Sequence, residues 1–94
     1  MSKLKKNKYL QEPQAVLDLH GLTLDEADNA VNDFVDEAMR KNYRLVRIIT
    51  GKGLGSTGGP VLRPWLEDYL VFGGFDWRQA KISEGGEGAF DIKL

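Results

Sequence analysis

The sequence predicts an α/β domain with elements in the order βαβαββ, forming a two-layer sandwich in which a four-stranded mixed sheet carries two helices on one face. Short apolar runs of strand character alternate with two longer segments whose apolar residues recur at helical spacing. The chain has 94 residues, 41% of them hydrophobic, which indicates one small folded domain. Two helices suffice to cover one face of such a sheet and leave the other open.

The first half of the chain reads as a strand, a helix and a second strand. Residues 16–19 are short and apolar, and Gly21 ends this strand. Thr23 and Glu26 form a capping box that starts a helix over about residues 24–41. Its apolar positions are Leu24, Ala27, Val31, Phe34, Val35, Ala38 and Met39. A strand–helix–strand crossover predicts that the first and second strands are parallel.

The second strand, residues 45–49, is followed by a glycine-rich segment over residues 51–59. Residues 60–70 have the apolar spacing of a second helix. Pro64 lies inside this segment, and proline lacks the amide hydrogen that a helix interior needs. We therefore expect an irregular first turn, with the regular helix starting near Pro64.

Two further strands, residues 77–82 and 89–94, flank a turn at residues 84–88. Alternation along the strands assigns side chains to the two faces of the sheet. The covered face should receive Leu17, Leu19, Val46, Ile48, Phe90 and Ile92. The open face should receive Asp18, His20, Arg47, Asp91 and Lys93. A polyanion could lie on a face that carries such charges, so Arg47 is a candidate substrate contact.

Residues 1–14 are expected to form a flexible basic arm ahead of a domain over residues 15–94. Four of the 13 basic residues are lysines within the first eight positions, which leaves 9 basic against 14 acidic residues in the rest. Such an arm can contact phosphates. A solvated tail without function is the simpler interpretation.

Composition excludes several classes of protein. The absence of cysteine excludes a disulfide scaffold, a thiolate metal site and a cysteine nucleophile. No apolar run reaches the ~18 residues of a membrane helix, and the N-terminal lysines precede no apolar stretch of a secretory signal. We therefore expect a cytoplasmic protein without a membrane partner.

The candidate site lies where the first two strands end, because ligands of parallel α/β units bind beyond the carboxyl ends of the strands. Asp18 and His20 share a strand face, and a carboxylate can orient an imidazole and stabilise its protonated form for proton transfer. His20 is the only histidine, so a two-histidine mechanism within one chain is excluded. A histidine that merely satisfies a strand-end backbone group is the structural alternative.

The second strand ends in Thr50 and the segment Gly51-Lys52-Gly53. Glycines let the main chain approach a phosphate closely, and such turns form anion-binding nests, to which Lys52 would add an ammonium group. An ordinary glycine-rich connection is the alternative.

Two nucleotide-binding motifs and a metal site are alternatives to this interpretation. Residues 53–58 match the dinucleotide pattern G-x-G-x-x-G, but a single short strand–helix unit follows, which is too little for a dinucleotide fold. A P-loop fails because Gly53, and not serine or threonine, follows Lys52. Asp18 and His20 offer two metal ligands without a clear third, so no metal site is predicted. A magnesium ion bound jointly by the protein and a substrate phosphate stays open as an alternative cofactor.

Three motifs together resemble the small MutS-related (Smr) domain family. Leu17-Asp18-Leu19-His20-Gly21 is similar to its Leu-Asp-x-His-Gly signature, and Thr50-Gly51-Lys52-Gly53 to its Thr/His-Gly-x-Gly motif. Gly85-Gly86-Glu87-Gly88-Ala89 is similar to its Gly-Gly-x-Gly-Ala turn. The motifs occur in family order over about residues 15–94, and the ordered set is specific where each motif alone is weak.

The resemblance implies a fold like the C-terminal domain of a bacterial translation initiation factor, in a stand-alone member of the family. It implies an endonuclease that nicks DNA or cleaves RNA, including messenger RNA on stalled ribosomes. Asp18 and His20 would be catalytic, and residues 50–53 would bind or help to cleave the substrate. Members with His-Gly-x-Gly have a histidine where this chain has Thr50. A non-catalytic nucleic-acid-binding module that uses the same strand ends is the rival interpretation.

Overall fold

The computed structural model describes residues 12–51, 59–80 and 88–94. Its elements are β1 (Ala15–Asp18), α1 (Leu24–Arg40), β2 (Leu45–Ile49), α2 (Gly59–Phe72), β3 (Asp76–Gln79) and β4 (Ala89–Lys93). The βαβαββ order and the α/β class predicted from the sequence are therefore confirmed. Most of the predicted basic arm lies outside the described residues, as do Lys81 and Ile82 of the predicted third strand.

The four strands form one mixed sheet in the order β1-β2-β4-β3. β1 and β2 pair in parallel, as the crossover through α1 requires, whereas β4 pairs antiparallel with both β2 and β3. The last strand of the chain therefore occupies an inner position. Residues of β4 consequently have cross-strand neighbours on both sides.

Local sequence signals account for both ends of α1. The Glu26 amide donates to Thr23 Oγ1 at 3.2 Å, and the Thr23 amide donates to Glu26 Oε1 at 2.9 Å, which completes the predicted capping box. The helix ends at Arg40, and Asn42 follows with a φ of 61°. The Tyr43 amide then donates to the Ala38 carbonyl at 2.9 Å, a Schellman closure in which asparagine takes the left-handed position.

The helix α2 begins earlier than the sequence indicated. It is helical from Gly59, with Pro64 inside it, so the expected irregular turn before Pro64 is wrong. Pro64 lies in the second turn and deprives the helix of a single backbone hydrogen bond, to the carbonyl of residue 60. The fully buried residues Leu62, Leu66 and Leu70, spaced four apart, keep this helix against the sheet despite that loss.

The hydrophobic core lies between the two helices and one face of the sheet. Its central members are Leu19, Ala27, Val31, Val46, Ile48, Leu62, Leu66, Leu70, Phe90 and Ile92, all without exposed surface. Every residue predicted for the covered face is in this core except Leu17, which is partly buried against it. On the opposite face Asp18, His20 and Lys93 are exposed, as predicted. Asp91 differs, because it is only 2% exposed.

Candidate functional site

The carboxyl ends of β1 and β2 lie side by side and bring His20 next to Gly51. Asp18 pairs with Ile49, and the Leu19 amide donates to the Ile49 carbonyl at 2.7 Å, so the pairing continues past the end of β1. A β-carbon built on Gly51 would lie 3.7 Å from His20 Cδ2. The two sequence motifs therefore meet at one edge of the sheet. Lys52 and Gly53 lie outside the described residues.

Asp18 acts on the main chain that carries His20. Its Oδ1 accepts a hydrogen bond from the His20 backbone amide at 2.9 Å. Gly21 follows with a φ of 84°, and the Leu22 amide donates to the Leu19 carbonyl at 3.0 Å to close the turn. The sequence predicted that this carboxylate orients the imidazole. In the structure the carboxylate binds the His20 backbone amide, and His20 is exposed.

Thr50 and Gly88 are hydrogen-bonded to each other at this edge of the sheet. The Thr50 amide donates to the Gly88 carbonyl at 2.7 Å, and the Gly51 amide to the same carbonyl at 3.3 Å. The Thr50 hydroxyl is fully buried, 3.2 Å from the Gly51 carbonyl oxygen and 3.4 Å from that of Gly88. A contact between Thr50 and substrate stays a prediction, whereas its bonds to the loop are part of the fold.

Gly51 and Gly88 are glycines for different reasons. Gly51 has a φ of 85°, which L-residues rarely adopt. A β-carbon on Gly88 would lie 2.7 Å from the Gly51 carbonyl carbon, closer than real β-carbons come to another atom. In the sequence Gly88 stood out only as part of a motif. The close approach of the two main chains shows why that motif needs glycine at this position.

The centre of the open face holds a three-residue ion cluster of Arg47, Asp91 and Arg78. Arg47 donates from Nε to Asp91 Oδ1 at 2.6 Å and from Nη2 to Oδ2 at 3.1 Å. Arg78 Nη2 lies 3.1 Å from the same Oδ2. Side-chain exposure is 13% for Arg47 and 55% for Arg78. Sequence reasoning placed Arg47 and Asp91 on this face but missed Arg78, whose alternation with Trp77 was the available signal.

Within residues 12–51, 59–80 and 88–94, no three histidine, cysteine or acidic side chains come together to hold a metal ion. Asp18 is the carboxylate at the sheet edge, and its Oδ1 already accepts from the His20 amide. A magnesium ion there would need most of its ligands from water and substrate phosphate. In the same part of the chain, no helix has the length and apolar character needed to cross a bilayer.

The sequence of this chain matches a known protein family. The family model described as "Smr domain" matches residues 17–94. An endonuclease MutS2 from Gemmatimonas aurantiaca is 38% identical over 83 residues, which are 88% of this chain and 10% of that protein. An uncharacterized protein from Treponema pallidum is 43% identical over 58 residues, which are 62% of this chain and 29% of that protein. The chain thus spans less than a third of the length of these relatives.

Solved structures agree with the sequence match. The Smr domain of Thermus thermophilus MutS2 superposes with a TM-score of 0.71 at 29% identity, covering 85% of this chain and 96% of that one. YdaL, a stand-alone small MutS-related protein from Escherichia coli, superposes with a TM-score of 0.77 at 28% identity, covering 99% of this chain and 74% of that one.

Proposed function

This chain belongs to the Smr domain family, and on that premise we propose that it is a nucleic-acid endonuclease acting at the carboxyl ends of β1 and β2. Its homology to the Smr region of endonuclease MutS2 supports a nucleic-acid substrate. The observation that carries the proposal is the exposed His20 held beside Gly51 by the Asp18 hydrogen bond. An exposed imidazole can transfer protons in phosphodiester cleavage, and backbone amides of a glycine-bearing strand end can stabilise the charge on the phosphate.

With RNA as substrate, the imidazole of His20 takes the proton of a ribose 2′-hydroxyl. The freed oxygen attacks the adjacent phosphorus, and the 5′-oxygen of the next nucleotide leaves. Since the chain has no second histidine, the leaving oxygen takes its proton from water or from the protonated His20. Lys52 and the amides of the glycine segment are proposed to bind the phosphate. Cleavage of DNA would need an activated water, for which a magnesium ion supplies Lewis-acid chemistry.

A nucleic-acid-binding module without cleavage is the second candidate. The observation that favours it is the burial of Thr50, whose hydroxyl is turned toward main-chain carbonyl oxygens. The residue at the start of the second motif therefore offers no second proton-transfer group. In this case the strand ends would only dock phosphates.

The test combines cleavage and binding on the same proteins. Labelled single-stranded RNA, duplex RNA and supercoiled DNA are incubated with and without magnesium, and filter binding is measured at several salt concentrations. His20→Ala should lower the cleavage rate by about 10²–10⁴-fold and leave affinity nearly unchanged. Lys52→Ala, the matched change in the second motif, should weaken binding and reduce the salt slope by about one unit.

Each outcome distinguishes the candidates. Binding without cleavage by the wild type, with equal binding by His20→Ala, would select the docking module. Cleavage that survives in His20→Ala would contradict the proposed role of the imidazole. Failure of the wild type to bind any of the three nucleic acids at low salt would contradict both candidates.

A further inference from the structure

Asp91, a buried carboxylate on the open face of the sheet, contacts two arginines, although one would be enough to neutralise its charge. Arg47 on β2, Asp91 on β4 and Arg78 on β3 are direct cross-strand neighbours, so the three side chains form one row across the sheet. Asp91 is 2% exposed and contacts both guanidinium groups. Asp91 therefore brings two guanidinium groups together at a place that the helices do not cover.

The geometry points to a second phosphate-binding site in this row. We propose that Arg78 contacts the backbone phosphates of the bound nucleic acid, and that Asp91, which Arg47 binds from the other side, is a positioning residue that holds the Arg78 guanidinium group on the open face. The proposal rests on the proposed function, since it extends the path of the same nucleic acid from the sheet edge onto the open face. Arg78 is a contact that the sequence motifs do not contain.

The position of the row fits a strand that continues from the edge site. Arg47 is the register partner of Val16, and His20 lies four residues after Val16 in the chain, two residues past the end of β1. At about 3.3 Å per residue the row lies about 13 Å from His20 along the strand direction. That distance corresponds to about four nucleotides of a stacked strand at about 3.4 Å each. Several phosphates would therefore separate the cleaved bond from the arginine row.

The chemistry of Arg78 fits this role. A guanidinium group has five N–H donors in a planar fork, and it can pair with a carboxylate and still donate to a phosphate. The Arg78 side chain is 55% exposed, so it can reach a ligand above the sheet. Asp91 limits the orientations open to this side chain, which lowers the entropy lost when a phosphate binds.

The experiment measures the salt dependence of binding by fluorescence anisotropy, with a labelled single-stranded RNA of about 16 nucleotides. Arg78→Ala should bind more weakly than the wild type and lower the slope of log affinity against log salt by about 0.7, as expected for one lost contact with a single strand. Arg78→Lys should restore most of the slope because it restores the charge. The control is Arg40→Ala, which removes an arginine that is 70% exposed and paired with Asp36 on α1.

Asp91→Asn tests the positioning role. The variant loses a negative charge, so a purely electrostatic surface would bind more tightly with a steeper slope. If Asp91 positions Arg78, affinity should instead fall severalfold in protein whose fold is verified by circular dichroism. Tighter binding by Asp91→Asn would overturn the positioning role.

The remaining outcomes separate this proposal from the proposed function. A slope and affinity for Arg78→Ala equal to those of Arg40→Ala, with a wild type that binds and cleaves, would overturn the arginine site and leave the edge site standing. A slope lowered by Arg78→Ala in a protein that binds but never cleaves would support the arginine site and contradict the endonuclease. A wild type that binds neither RNA nor DNA at low salt would overturn both.

Discussion

Two aspartates on the same side of the sheet have opposite environments. Asp18, at the carboxyl end of β1, is exposed and accepts from the backbone amide of His20. Asp91, in the middle of β4, is 2% exposed and binds Arg47 and Arg78. Strand alternation places both on the open face, so the face alone does not determine what a carboxylate does there.

The difference follows from position within the sheet. At a strand end the chain turns, and free backbone amides become the nearest donors. In the centre of the sheet the backbone amides are already paired in the ladder, and the nearest donors are side chains of register partners. The edge carboxylate therefore binds the backbone of His20, and the central one binds the side chains of neighbouring strands.

Arg47→Met should have the largest effect, because it removes the bidentate partner of a buried carboxylate. Breaking a buried ion pair in this way typically costs about 3–5 kcal/mol, and only the exposed Arg78 would remain beside Asp91. The free energy of unfolding, measured by urea denaturation, should fall by about that amount. An unchanged urea midpoint would show that Asp91 is effectively solvated.

The double variant Arg47→Met/Asp91→Leu is the control for this interpretation. Apolar replacement of a whole buried pair is often neutral or stabilising, so the double variant should recover most of the lost stability. A double variant as unstable as the single one would show that the loss came from packing of the Arg47 side chain and not from the uncompensated charge.

Asp18 should affect cleavage through the backbone of His20. Asp18→Ala removes the acceptor, and a displacement of the imidazole by about 1 Å can lower the rate about 10²-fold. Asp18→Asn keeps an oxygen that can accept from the same amide, so its rate should stay within about tenfold of the wild type. Single-turnover cleavage rates compare the two. Equal losses in both variants would show that the charge of Asp18 acts on the imidazole directly.

Gly88→Ala should disturb the edge site while it destabilises the fold moderately. The added β-carbon would lie 2.7 Å from the Gly51 carbonyl carbon, so the two main chains must separate. Such overpacking typically costs about 1–3 kcal/mol, and cleavage should fall further than the unfolded fraction explains.

The control for this change is Gly74→Ala, which lies after α2 with a φ of 72° and open space around it. Its strain of about 1 kcal/mol should lower the melting temperature and leave cleavage by the folded protein unchanged. Equal cleavage losses in Gly88→Ala and Gly74→Ala would contradict a specific role of the contact between residues 51 and 88.

The smallest effect on stability is expected from the ion pair of Glu37 and Lys41, which is exposed, whereas the ion pairs of Asp91 are partly buried. The Lys41 ammonium lies 2.9 Å from Glu37 Oε2, and its hydrogen bond and charge lower the pKa of Glu37. Because the pKa of Glu37 is lower in the folded state, the pair stabilises the fold at pH values above the usual pKa of glutamate. That contribution is lost as the pH falls through the lowered pKa. Both side chains are about half exposed, so solvent screens the pair.

Melting temperatures of the wild type and Glu37→Gln check this expectation. They should differ slightly near neutral pH and converge in strong acid, where Glu37 is protonated. A difference that grew as the pH fell would reverse the sign of the shift and contradict the interpretation.

Local patterns were enough to determine the order of elements, the parallel pairing of β1 and β2, and the residues on each face. Capping, periodicity and alternation are properties of a few consecutive residues, and the handedness of a crossover follows from chain geometry. The meeting of His20 and Gly51 follows in the same way, since neighbouring parallel strands end at the same edge.

The tertiary structure alone decided which side chains share a partner. Nothing local indicates that β4 lies between β2 and β3, and only that placement brings Arg47 of β2 and Arg78 of β3 to the same carboxylate, that of Asp91. The start of α2 ahead of Pro64 was likewise decided by leucines packing against the sheet. Register and packing are long-range properties, because they depend on pairings between residues that the sequence keeps far apart.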